Sequence, residues 1–258
     1  MKLRLAIIFA FMFTFFSLIS PVAASELDDY KRDVDNYRSA YVQFQIKQKS
    51  YEQSSTFAAE EDLVKAAQTM LINRADVWIT YWKLHSFLTK SLTRLPESDK
   101  AEYVEKFKTE IDWLESHKSR VQSQKTRSSL MEIATLLNQK AEQYNTLAFE
   151  ANTTESTELM RQAVVRLQNF NSELTQRVSS QQLTAAQKEV KLRGLQVNRE
   201  RLDTAWQSLA EFQTDTMDMA GSASQTSFLK IAEQGTPIHA QLSQLNQVLH
   251  ELSEGVEW

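Results

Sequence analysis

Residues 30–51 read YKRDVDNYRSAYVQFQIKQKSY, and the aromatic residues Tyr30, Tyr37, Tyr41, Phe44 and Tyr51 recur at intervals of seven, four, three and seven. Steps of three and four return a side chain to the same face of an α-helix, which turns once in about 3.6 residues. Leu27 and Val34 extend the row, and Gln48 is its one polar member. A helix is therefore predicted over 26–49 with a strict heptad seam, whose packing positions are Tyr30, Val34, Tyr37, Tyr41 and Phe44. Lys31, Arg32, Asp33, Asp35 and Arg38 take the other sides. Such a seam is either a strip of rings for a ligand or a surface that another helix covers. The spacing favours a cover, and the next helix is the expected one, with Trp78 and Tyr81 on its facing side.

Glycine and proline decide the fold class. The whole chain of 258 residues holds four glycines and three prolines. Strands joined by tight turns need many more of both. The rest is rich in Gln, Glu, Lys, Leu and Ala, which favour helix. The expectation is an all-α protein, an elongated, coiled-coil-like antiparallel bundle or two bundles in succession.

Apolar periodicity divides the remainder. A second helix follows the capping hydroxyls of Ser54–Thr56 and carries Val64, Ala67, Leu71, Arg74, Trp78, Tyr81, His85, Leu88 and Leu92 on one row. Arg74 on that row needs solvent or an acidic partner, expected from the first helix. Pro96 marks the next boundary, with Ser98 or Asp99 as the cap. The third helix is predicted to fade into the basic connector HKSRVQSQKTRSS, and a Ser129–Glu132 capping box to open the fourth. ANTTEST, from residue 151, reads as a polar break. The domain expectation is thus a leader over 1–24, a helical bundle over 25–151 and another over 152–258, or one continuous domain. Thr184 and Gln187 have capping-box spacing, and Gly194 allows close approach of a neighbour. A loop is expected around Gly221, a short helix ending at Gly235, and a last helix starting at Thr236–Pro237.

The first residues, MKLRLAIIFAFMFTFFSLISPVAAS, have a short positive start, an apolar core and small residues at Val22 and Ala24. That is the pattern of a secretion signal, with the cut expected between Ala24 and Ser25. The protein is expected to be periplasmic, cell-surface or secreted, with no membrane span after cleavage. The apolar run is short for a membrane span, which takes about 20 residues; the competing reading is an uncleaved anchor, since a slightly long signal core can span when tilted. The formal charge is −4, or −6 once Lys2 and Arg4 leave with the leader. A mildly acidic chain is a poor partner for nucleic acid. With no cysteine, disulfides, thiolate metal sites and a cysteine nucleophile are excluded.

Three stretches, DYKRDVDNYRSAYVQFQ, FAAEEDLVKAAQTMLINRADVWITYWKLH and EIDWLESHK, resemble a class of exported all-helical, coiled-coil-like proteins of small-genome candidate-phylum bacteria. The resemblance covers about residues 26–120. It implies a signal peptide followed by long helices, and it implies no activity.

Catalytic patterns are missing from the sequence. A di-iron bundle requires an acid three residues before a histidine; the residues three before His85, His117, His239 and His250 are Trp82, Leu114, Thr236 and Gln247. HELSE at His250 lacks the second histidine of a zinc-protease helix. No cofactor or metal is expected. The densest aromatic stretch, VWITYWKLH at 77–85, offers Trp78, Tyr81, Trp82 and His85 as a ligand pocket, or as a wide core. The expected function is a non-enzymatic scaffold or protein-interaction module with a protein partner or self-association. Alternatives are a sensor-like bundle holding a small molecule at those four residues, and a holdase chaperone.

Overall fold

The computed structural model describes the backbone of residues 21–220 and 225–256. Residues 1–20 of the leader expected over 1–24, and the loop expected around Gly221, lie outside the described residues. Among these the chain forms six α-helices and no strand: α1 Pro21–Ser54, α2 Phe57–Ser91, α3 Glu97–Ser123, α4 Arg127–Ser180, α5 Ala185–Ala220 and α6 Gln225–Ser253. The protein is all-α. No described helix is long and apolar enough to cross a membrane.

Local chemistry fixes the turns. Ser55 has φ of 47°, in the left-handed region, so the chain reverses in two residues between α1 and α2. Thr56 is extended and its Oγ1 accepts from Ala59 N, capping α2. Between α4 and α5, Gln187 N donates to Thr184 Oγ1 while Thr184 N donates to Gln187 Oε1, a reciprocal capping box that satisfies two helix-end donors.

Two compact units divide at Leu147 and Ala148. The division falls inside α4, whereas the sequence drew it after residue 151. In the N-terminal unit, Tyr30 meets Tyr81 and Lys47 meets Asp62, so α1 and α2 run antiparallel. Trp82 meets Phe107 and Asp76 meets Lys118, which makes α3 antiparallel to α2. Glu110 meets Lys140, which turns α4 back along α3. The result is an up-down-up-down four-helix arrangement. Its core holds Val34, Tyr81, Trp82, Leu84, Phe107, Leu114 and Tyr144, each at most 1 % exposed.

The C-terminal unit packs the rest of α4, α5 and α6 around Met160, Val164, Leu174, Leu195, Leu202, Leu209, Leu245 and Leu249. Asn198 reaches Asn171 across that core at 3.5 Å. Gly194 lies under Leu252: a Cβ there would sit 2.9 Å from Leu252 Cδ2. The close approach anticipated at Gly194 is thus made by α6.

Several expected boundaries are corrected. ANTTEST is not a break; it is helical within α4. Asn152 Nδ2 donates to Ala148 O one turn back, while the buried Thr153 and Thr157 hydroxyls find no partner among the described residues. The basic connector shrinks to 124–126, because α3 continues through His117 and Val121, both buried apolar-side positions. Lys118 there is no solvated charge but pairs with Asp76 at 2.7 Å and Glu115 at 3.1 Å. α4 starts two residues ahead of Ser129, capped by Thr126, whose Oγ1 accepts from Ser129 N. α3 starts at Glu97 with Pro96 in the cap position and no side-chain cap, so neither Ser98 nor Asp99 fills that role. Finally, α6 runs unbroken through Gly235 and Pro237. Pro237 removes one backbone donor, and Thr236 Oγ1 bonds back to Ala232 O in the same turn.

Candidate functional site

The four ring residues expected as a pocket form one packed cluster. Trp78 stacks on Trp82 at 5.8 Å and 23°, and Tyr81 meets His85 edge-on at 4.3 Å. Phe107 from α3 stacks on Trp82 at 5.4 Å and Tyr144 from α4 approaches Trp78 at 5.0 Å. Each such pair contributes about 0.5–1.5 kcal/mol beyond its buried area. Tyr81, Trp82 and His85 are buried, and Trp78 is half-buried. Tyr30 on α1 touches Tyr81, and Trp78 meets Tyr144 of α4. Tyr30, Val34 and Tyr37 are buried; Tyr41 and Phe44, further along the seam, are only half-buried.

That loss of cover leads to an open groove. Beyond Tyr41 the seam of α1 no longer closes, and a cavity of about 330 Å³ opens between α1, α2 and α4. Phe44 and Tyr51 wall it from α1; Leu63, Val64, Ala67, Met70 and Leu71 form its floor from α2. Leu130, Met131 and Ala134 close the α4 side. Leu63, Val64, Leu71 and Leu130 are buried at the bottom, whereas Met131 is 59 % exposed at the rim. The amide and charged residues of the lining, Gln48, Glu52 and Arg127, are exposed and mark its mouth. Gln48 Nε2 donates to Glu52 Oε1 at 3.0 Å. The Arg127 guanidinium lies over the Tyr51 ring, 5.7 Å from its centre.

The walls are tied at defined points. Lys47 Nζ bonds Asp62 Oδ2 at 2.6 Å, joining α1 to α2 beside the mouth. Gln68 Nε2 donates to Gln124 O at 2.6 Å, pinning α2 to the turn between α3 and α4. Both ends of the first pair are exposed, so solvent screens it and it adds little to stability. The cavity size stands at the low end of small-molecule sites, which run about 300–1,000 Å³.

Below the groove lies a set of ionisable side chains. Arg74 is bonded not to an acid of α1 but to Asn138 Oδ1 of α4, at 2.7 Å. The acids of α1 at Asp28, Asp29, Asp33 and Asp35 lie toward its other end and pair within the helix. Burial lowers the Arg74 pKa. His117 of α3 is 1 % exposed and stacks on Trp113 at 5.1 Å and 17°. Neither of its ring nitrogens has a hydrogen-bond partner among the described residues. Burial first, then the positive charges of Arg120 and Arg74, hold its pKa down to about 4. On the same flank Lys140 bonds Glu110 at 2.9 Å and lies 5.8 Å from the centres of the Trp113 and Tyr144 rings. Burial and the Glu110 charge raise the Tyr144 phenol. Among the described residues, no group of three His, Asp or Glu side chains is placed to hold a metal ion.

The groove was not picked out from the sequence, although a signal for it exists. Gln48 is the polar member of the α1 seam, and it sits where the seam opens. An amide in place of an apolar residue costs little only where water reaches it.

Comparison with protein-family models, with characterised proteins and with solved structures finds no match to this chain. The fold and the site therefore define its class by themselves: a helical-bundle protein with an apolar groove between three helices. The groove lies wholly within its N-terminal unit.

Proposed function

We propose that this protein is an exported, non-enzymatic helical interaction module of the cell envelope or exterior, and that it takes an apolar guest into the groove between α1, α2 and α4. The observation that carries this is the opening of the α1 seam. Phe44 and Tyr51 continue the heptad row of the buried Tyr30, Val34 and Tyr37, yet they face a cavity instead of a packed neighbour. An apolar wall left uncovered costs roughly 25 cal/mol for each Å² that water keeps. A guest that covers it recovers that energy. The two methionines of the lining adapt their shape readily to a guest. The leader pattern at the N-terminus supports export, and the resemblance over 26–120 agrees with it.

A scaffold acting by protein contact is the second reading. Val42 and Ile46 favour it, since they are half exposed, one turn apart, and on the face of α1 away from the seam.

A photo-crosslinking residue placed at Met131, and separately at Val190 in the C-terminal unit, tests the groove in the native envelope. Crosslinks concentrated at position 131 support it. Equal yields at both positions, or yields at neither, remove it.

A further inference from the structure

The chemistry of the groove narrows the guest. Its bottom carries only hydrocarbon and aromatic side chains, and its polar groups stand together at one end. That separation matches a molecule with an apolar tail and one polar head. A volume of about 330 Å³ corresponds to roughly ten methylene-sized groups, if each takes about the share of liquid volume of one water. One alkyl chain fits and a second does not.

The head is read from the two charges at the mouth. Arg127 forms no ion pair with any described residue; its one described contact is the face of Tyr51. Its guanidinium thus keeps a planar fork of donors free, which matches a carboxylate in two parallel hydrogen bonds. Arg127 is also the first residue of α4, where unsatisfied backbone N–H groups add positive potential. Glu52 lines the same cavity from the last turn of α1, with Oε1 accepting from the Gln48 amide. A cationic head would meet repulsion from Arg127 and the α4 terminus, which the Glu52 charge offsets only in part.

We propose that the groove binds a free single-chain alkyl carboxylate, with its tail along Phe44, Leu63, Leu71 and Leu130 and its carboxylate on Arg127. The inference rests on the groove being the binding site. A free single-chain acid is favoured as the source over a two-chain bilayer lipid, because about 330 Å³ matches one chain.

Calorimetric titration of the full chain with dodecanoate, dodecyltrimethylammonium and dodecyl maltoside tests it, each kept below its aggregation concentration. Dodecanoate is expected to bind one per chain. The cation and the neutral sugar head are expected to bind at least about tenfold more weakly, the scale of a charge-assisted fork. Arg127→Ala should weaken dodecanoate by about tenfold, and Glu52→Gln should tighten it. Met131→Trp, at an exposed rim position, should block all binding with helicity unchanged by circular dichroism. If all three probes bind alike and Arg127→Ala loses nothing, the carboxylate assignment is overturned while the groove stands. If none binds, both the assignment and the groove reading fall.

Discussion

His117 gives the protein a measurable sensitivity to mild acid. Its ring is buried on α3, neutral, stacked on Trp113, and its pKa is held down from 6.5 to about 4. In the unfolded chain it returns to its ordinary value. A depressed histidine contributes stability that is fully present above the unfolded pKa. That stability erodes as pH falls, because only the unfolded chain takes up the proton. The slope runs from about pH 6.5 down to about 4, below which the folded ring is charged too. With these two values the loss is about 2 kcal/mol between pH 7 and 5, and about 3 kcal/mol by pH 4. The window from 7 to 5 is the useful one, since most carboxylates stay ionised across it. The perturbation is His117→Phe, which keeps the stacked ring and removes both ring nitrogens. The assay is urea unfolding at pH 7 and pH 5, followed by tryptophan fluorescence. A Trp206→Phe, Trp258→Phe background leaves Trp78, Trp82 and Trp113 as reporters of the N-terminal unit. The native histidine should lose about 2 kcal/mol more across that window than the phenylalanine variant does. At pH 7 the variant should be at least as stable, because a buried polar group without a partner costs about 1–3 kcal/mol. Equal pH slopes in the two proteins would falsify the buried neutral ring.

Three other expectations concern packing. Trp82→Ala, at a fully buried side chain touched by Trp78, Tyr81, Phe107 and Tyr144, should cost about 3–5 kcal/mol in the same urea assay; a loss below 1 would mean the cluster is loosely packed. Gly194→Leu should destabilise by up to about 2 kcal/mol, because overpacking of about 1–3 kcal/mol against Leu252, whose Cδ2 lies 2.9 Å from a Cβ there and must move, outweighs about 1 kcal/mol of helix propensity gained. The double change Gly194→Leu, Leu252→Ala should recover part of it, and strict additivity of the two losses would show that the residues do not touch. Thr184→Ala removes the capping hydroxyl of α5 and should lower the melting free energy by about 1 kcal/mol, with no effect expected from Ser180→Ala.

Much of the architecture follows from local patterns. Few glycines and prolines, heptad rows and cap residues are short-range properties, so the sequence alone determined an all-α chain and the seam of α1. The capping box at Thr184 and the close approach at Gly194 were legible for the same reason. Where the sequence misled, the competing force was tertiary. ANTTEST reads as a break because Thr, Asn and Ser bond their own backbone in loops, yet it is helix within α4, so helical continuity outweighed that preference. Pro237 reads as a start, but the loss of one donor does not end a helix that continues with Ile238, Leu242 and Leu245 buried on one face. The site depends on the third dimension more strongly still. Spacing placed Tyr30, Phe44 and Tyr51 on one row and could not distinguish them. Their difference lies in what stands opposite: Tyr81 covers the first, while α2 and α4 leave the other two facing an open groove. Arg127 joins that mouth from 76 residues beyond Tyr51 in the chain, a distance that no local periodicity spans. Sequence determined which faces are apolar; only the packing of four helices decided which of them remain uncovered.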